Sequence, residues 1–297
     1  MSTAHAPLLR NRPTAVEWAL WCAWGVVVVF VVLAMREAWQ DMYRIASKDE
    51  EQSHIFLVPI VAVWMAWVRR GRFRIFTPRW TAAGAVIMLV GWILSRVGYF
   101  NAVQSAWHAG AVIAFVGALV AGLGMNFLLR FLPAVAVLAF LVPVPGIVRQ
   151  QISGPLQTAS AAATAAILET FGVPIERSTN LLTLNGHNIA VAEACNGMRM
   201  VLALLLVSHA FAFGLPLRPA ARFVVLLVSP VAALVCNIIR LVPTVLLYGY
   251  ASEDFANGFH DVSGWLMVPL AFFILLGTTS VLRWALIPVT RYNLAYQ

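Results

Sequence analysis

Three side chains of this sequence could do chemistry together if the fold brings them to one place. Cys195 stands in the run Val191-Ala192-Glu193-Ala194-Cys195-Asn196-Gly197-Met198-Arg199, where an apolar stretch begins. A thiol at a helix N-terminus meets the positive end of the helix dipole, and Arg199 one turn later adds a fixed cation on the same face. Both favour the thiolate, which is the reactive form. Arg240 precedes Leu241-Val242-Pro243 in another apolar run. A charge at the centre of a membrane helix costs about 2.5–3.5 kcal/mol on insertion scales, so Arg199 and Arg240 are functional candidates. The alternative is that each snorkels to the interface or ties helices together through Glu193, Glu253, Asp254 or Asp261. A proton carrier must come from the histidines on the same side, His54, His108, His187 or His260. Position alone does not choose among them, but His260 opens an apolar stretch beside Asp261. A nucleophilic Cys, a proton-moving His and an Arg beside a developing oxyanion suffice for acyl transfer through a thioester. Cys22 and Cys236 read as packing residues.

The elements that must position these residues follow from composition. Of 297 residues 61% are hydrophobic and 11% charged, far from the roughly 45–50% and about 25% of soluble domains. A soluble enzyme is excluded. Three cysteines build no disulfide framework. Apolar runs near 17–35, 55–68, 81–98, 106–124, 126–143, 195–214, 222–248 and 261–282 predict an all-α polytopic membrane protein with about eight transmembrane helices. The chain reads as a single integral membrane domain over 1–297, with 1–16 a cytoplasmic tail and 144–194 an outer-side insertion before the sixth span. Within that insertion, Pro155 to Phe171 predicts a small-residue helix lying in the interface or packed on the bundle. Asn185-Gly186 between short apolar runs predicts a hairpin.

Basic residues set orientation, because short cytoplasmic loops keep Arg and Lys. Of the 20 basic residues, Arg10, Arg12, Arg69, Arg70, Arg72, Arg74, Arg79, Arg130, Arg218, Arg222, Arg283 and Arg291 fall on one side when the N-terminus is inside. Arg36, Arg44, Lys48, Arg149 and Arg177 fall on the other, as does every carboxylate except Glu17. The net charge of +8 is therefore a topology signal, and Arg69 to Arg79 is not read as a nucleic-acid patch. In this orientation Cys195 starts an inward helix, Arg240 nears the end of an outward one, and His260 starts the next inward one. All three reach the outer leaflet.

At these residues the sequence resembles the exosortase and archaeosortase family of membrane transpeptidases. Its Glu-Ala-Cys-Ser-Gly-x-Arg pattern reads Glu193-Ala194-Cys195-Asn196-Gly197-Met198-Arg199 here, its Asn-x-x-Arg pattern reads Asn237-Ile238-Ile239-Arg240, and its late His reads His260-Asp261-Val262-Ser263-Gly264. Ser53-His54 with Leu57-Val58-Pro59 resembles the early motif, and Phe140 to Pro145 with Pro155-Leu156-Gln157 the middle. Two positions depart, Asn196 for Ser and Ile55 for Gly, and neither removes a reactive group. The resemblance implies a cysteine-dependent peptidase or transpeptidase in the bacterial inner membrane, with its active site facing the periplasm. Catalysis would rest on Cys195, Arg240 and His260, supported by Glu193, Asn196, Arg199, Asn237, Asp261 and His54. Its substrates would be secreted proteins ending in a PEP-CTERM-like sorting tail, that is, a Pro-containing motif, a membrane helix and a basic cluster. Lipid is the other expected partner, and no nucleic acid is expected. No metal-ligand spacing such as His-x-x-x-His or Cys-x-x-Cys occurs, so no metal or cofactor is expected. The competing reading is a multi-pass transporter or polysaccharide-export accessory subunit whose intramembrane Arg binds an anion.

The charge rule makes a direct prediction. A reporter active only in the cytoplasm should work when inserted between Arg69 and Arg79, and one active only in the periplasm should work at Asn185-Gly186. The opposite pair of results would reverse the orientation.

Overall fold

The computed structural model describes residues 15–71, 81–190 and 198–285. Ten α-helices and a small sheet are present among them: α1 (Ala15–Ala34), α2 (Arg36–Lys48), α3 (Leu57–Val68), α4 (Ala82–Phe100), α5 (Gln104–Leu123), α6 (Met125–Ala136), α7 (Gly146–Thr170), α8 (Met198–Gly214), α9 (Pro219–Tyr250) and α10 (Glu253–Trp284). Strands β1 (Ile175–Ser178), β2 (Leu181–Leu184) and β3 (His187–Ala190) lie between α7 and α8.

The expected count of eight spans is not met. Among the described residues five helical stretches are long and apolar enough to cross a membrane: Ala15–Ala34, Glu51–Val68, Ala82–Phe100, Gln104–Leu123 and Pro219–Tyr250. A sixth is reached if Met125–Leu141 and Gly146–Thr170, which meet at 91°, count as one broken span. Prolines explain the break. Pro133 lies inside α6, and the tighter helical turn Val137–Leu141 runs out before Pro143 and Pro145, where the missing N–H groups stop the ladder. In α8 and α10 the apolar stretches are shorter, Met200–Gly214 and Phe272–Val281.

The insertion is more structured than the sequence suggests. Helix α7 starts at Gly146, well before Pro155, and packs on α9 and β1. Its buried face is small, Ser153, Ser160, Ala161, Thr164 and Ala165, so the backbones approach closely. The chain does reverse at Asn185-Gly186, and both residues take positive φ, 51° and 80°. The hairpin is part of a larger unit, a three-stranded antiparallel sheet in the order β1-β2-β3. Leu182 and Leu184 are fully buried against Ala161, Ala165, Leu168, Leu241 and Val245, so the sheet is fixed to α7 and α9. Asn185 Nδ2 also donates to the Gly249 carbonyl at 3.1 Å.

Two further elements were not expected. Helix α2 is amphipathic, with Ala38, Met42 and Ala46 buried at a spacing of one turn. After it, Asp49 caps a short helical turn, Glu50–Phe56, by accepting the Glu51 N–H at 3.0 Å. That turn precedes α3, so the expected helix from 55 begins as a 3₁₀ segment.

Helices α4 and α5 form the tightest pair. Gly84, Gly91 and Gly98 repeat every seven residues on α4, and α5 answers with Gly110 and Gly117. A Cβ at Gly91 would collide with the backbone nitrogen of Ala114, and one at Gly110 with that of Ser95. Overpacking costs typically about 1–3 kcal/mol. Gly91→Val should therefore lower the thermal unfolding midpoint in detergent by several degrees. Gly25→Ala, on a site with nothing within 4 Å, should leave the midpoint unchanged.

Candidate active site

Helix α9 turns one face inward through Cys236, Asn237, Arg240, Leu241 and Thr244, all buried. Arg240 is 5% exposed, so it does not snorkel to the interface. Its Nη2 donates to Asn237 Oδ1 at 3.1 Å. The Asn237 amide is fully buried, and its Nδ2 donates to Ser160 Oγ of α7 at 2.9 Å. Spacing explains the first contact, because residues three apart share a helix face. The Asn-x-x-Arg pattern thus acts as one unit in which the amide accepts from the guanidinium and passes its own donors to α7. Local backbone helps. Pro243 has no N–H to give to the Ile239 carbonyl, and Thr244 Oγ1 donates to the Arg240 carbonyl at 2.7 Å.

The third wall is α10. A Cβ at Gly264 would lie 3.5 Å from Arg240 Nη1, an ordinary contact distance, so the guanidinium lies beside this position of α10. His260 lies four residues before Gly264 and hence on the same face, one turn nearer the helix start. Its side chain is 18% exposed, and Nδ1 lies 3.5 Å from Asp261 Oδ1. Asp261 itself is 80% exposed, so this is a loose, solvated pairing. Ser263 Oγ donates to the His260 carbonyl at 3.0 Å. Tyr248 and Asn257 are hydrogen-bonded across the α9–α10 connection, which holds the ends of the two helices together.

The other histidines are committed elsewhere. His108 is fully buried, with Nε2 3.1 Å from Asp41 Oδ2, and Gln104 Nε2 donates to the same oxygen at 3.0 Å; this joins α2 to α5. His187 is exposed at the start of β3. His54 is 2% exposed in the turn before α3, with Nδ1 3.3 Å from the Glu51 carbonyl, and that turn packs on α8. Cys236 is buried among Met200, Leu204, Ala232 and Leu275, as a packing residue would be. Arg199 lies in the first turn of α8. Glu193, Cys195 and Asn196 lie outside the described residues.

Several supporting residues were missed from sequence. Ser160 carries no motif signature, and only its burial opposite Asn237 reveals it. Gln52 binds the Val144 backbone both ways, Nε2 to the carbonyl and Oε1 to the N–H, each at 3.4 Å. Arg149 pairs with Asp49 and lies 3.3 Å from Glu51 Oε2. These contacts fasten the His54 turn to the Pro143-Val144-Pro145 segment, so the early and middle motifs form one joint. The apolar groove below the start of α8, a cavity of about 340 Å³, is lined by Met200, Ala203, Leu204 and Val207 with Met267, Pro269 and Phe272 of α10. Among the described residues no group of His, Cys, Asp and Glu could hold a metal ion.

Apolar helices with a buried, hydrogen-bonded arginine between them define the class: a polytopic membrane protein with a polar site in its helical bundle. Residues 39–277 match the family described as Transmembrane exosortase (Exosortase_EpsH), and the chain belongs to that family. No curated protein and no solved structure matches. Membership supports an enzyme of the inner membrane that acts in the processing of C-terminal sorting tails.

The Arg240 unit predicts an order of effects on stability. Asn237→Leu leaves a buried guanidinium and a buried hydroxyl short of a partner, and an unsatisfied buried group costs about 1–3 kcal/mol. Ser160→Ala removes one neutral bond and should cost less. Thermal unfolding of the purified variants in detergent should rank them in that order.

Proposed function

We propose that the protein is a membrane-embedded cysteine transpeptidase that cleaves the sorting tail of secreted proteins through an acyl-thioester on Cys195. The observation that supports this reading is the setting of Arg240: a buried guanidinium of α9 beside Gly264 of α10, hydrogen-bonded to Asn237, which Ser160 of α7 holds in turn, with His260 one turn before Gly264 on α10. Family membership supports the tail as substrate class.

In the proposed reaction Cys195 Sγ attacks the carbonyl carbon of the scissile peptide. The carbonyl oxygen becomes an oxyanion, which the Arg240 guanidinium stabilises. A guanidinium keeps its proton throughout, so it serves as an electrostatic partner and not as an acid. The intermediate collapses, the C–N bond breaks, and His260 delivers a proton to the leaving amine. The tail is released with a free amino group, and the secreted protein remains as a thioester. An acceptor amine then attacks that carbonyl, gives its proton to His260 and returns the thiolate. Water in place of the amine yields hydrolysis. Glu193, Asn196, Arg199 and Asp261 are assigned supporting roles around the thiol and imidazole, and His54 in holding the turn beside α8. The tail helix, with its basic end inside, would place the scissile bond at the outer leaflet, where the charge pattern puts Cys195.

The test is co-expression of a tailed reporter with the wild type and with Cys195→Ala, followed by mass spectrometry. Tail removal and a hydroxylamine-sensitive adduct are expected only with the wild type. His260→Ala should slow processing by about 10²–10⁴-fold, the usual contribution of a positioned acid–base group. Undiminished processing by Cys195→Ala would overturn the thiol mechanism.

A further inference from the structure

Among the described residues the sheet before α8 has an unpaired edge, β3, which ends five residues before the proposed nucleophile in sequence. Strand β3 is last in the order β1-β2-β3, and its residues are exposed except for half-buried Ile189. The register fixes which backbone groups face outward. A two-residue turn with positive φ at Asn185 and Gly186 is of the I′ kind, which makes Leu184–His187 a hydrogen-bonded pair. Pairs alternate along an antiparallel ladder, so Leu182–Ile189 is also hydrogen-bonded, while Asn188 and Ala190 turn their N–H and C=O groups away from β2. Among the described residues no backbone group pairs with that side. The edge is also rigidly mounted. Leu182 and Leu184 are fully buried, Leu184 lies against Gly249, and Asn185 is tied to the Gly249 carbonyl. Gly249 is on α9, the helix that carries Arg240.

We infer that the β3 edge, through the backbone of Asn188 and Ala190, binds the substrate polypeptide around its scissile bond as an added strand. This rests on the reading of Cys195 as nucleophile. Cys195 follows Ala190 by five residues and so lies within about 18 Å of it, at about 3.6 Å per extended residue. Any peptide whose carbonyl meets the thiol passes through that reach. A polypeptide brought to a nucleophile offers one backbone donor and one acceptor at every second position on each side, the complement of what Asn188 and Ala190 present. Backbone pairing also suits an enzyme that must accept secreted proteins of varied sequence, because it asks for extension and not for particular side chains.

The test uses the full chain in proteoliposomes and a synthetic peptide comprising a Pro-containing motif, an apolar helix of about 20 residues and a basic cluster. Asn188→Pro and Ala190→Pro each remove one outward N–H and keep the backbone ladder to β2, as proline is tolerated on a strand edge. Each should lower kcat/KM about two- to tenfold, mainly through KM, the range set by one backbone hydrogen bond. Asn188→Ala, which loses only the Thr183 Oγ1 hydrogen bond at 2.9 Å, is the control and should process like the wild type. Arg177→Pro, on the outward side of β1 at the opposite edge, should process like the wild type. A second measurement leaves the enzyme unaltered: N-methylation of successive peptide nitrogens near the scissile bond should inhibit with a period of two. Wild-type rates in both Asn188→Pro and Ala190→Pro, or N-methylation effects without alternation, would overturn the inference. If Cys195→Ala still processes this peptide, the thiol reading itself fails; if only the edge results fail, that reading stands.

Discussion

A guanidinium enclosed by membrane helices has to be surrounded by hydrogen-bond acceptors, because neither lipid nor water can supply them there. Arg240 meets that constraint by recruiting three helices. Asn237 comes from its own helix at helical spacing, Ser160 from α7 takes up the far side of the amide, and Gly264 of α10 lies beside the guanidinium. Each contact fixes a position of one helix against another. The arrangement of α7, α9 and α10 is therefore tied to the charge they enclose, and the sheet inherits its place from α7 and α9. Under the proposed mechanism the same constraint would serve the chemistry, because a cation already fixed in place stabilises a developing oxyanion better than one that must reorganise its surroundings.

The rest of the bundle uses different physics. Helices α4 and α5 are joined by glycines repeating every seven residues, with backbones too close for a side chain. Such packing relies on dispersion and shape, the forces available where lipid is as apolar as protein. Elsewhere polar contacts join the Glu50–Phe56 turn and its cap to the start of α7 and the segment before it: Gln52 to Val144, and Arg149 to Asp49 and Glu51. They brace the turn holding His54, which packs on α8. A bundle stitched by glycine at one place and by ion pairs at another can keep a polar site rigid without surrounding it with further charge.

Several features were legible residue by residue. Asn-x-x-Arg was legible as a motif, but the carboxylates weighed as partners of Arg240 gave no hint that Asn237, three residues earlier on the same face, would accept from it. Asn185-Gly186 forecast a reversal, and the chain reverses there. Other features were not legible, for identifiable reasons. A count of apolar runs could not show that Met125–Leu141 turns by 91° into Gly146–Thr170 at the prolines between them, since hydropathy is blind to backbone direction. Helix α2 escaped because its Ala38, Met42 and Ala46 face carries few large apolar residues. Strand β1 lies among charged residues, and only its partner β2 makes it a strand.

The sequence by itself determined that the chain lies in a membrane and which side chains could react, because those follow from composition and from residue types at short spacing. Its motifs were enough to place it in its family. Only the tertiary structure decided which groups meet Arg240, that His108 serves Asp41 instead, and that β3 is the last strand of a three-stranded sheet. Those contacts join residues dozens of positions apart. They depend on how helix and sheet surfaces fit, and a surface is a property of the folded chain that no local pattern encodes.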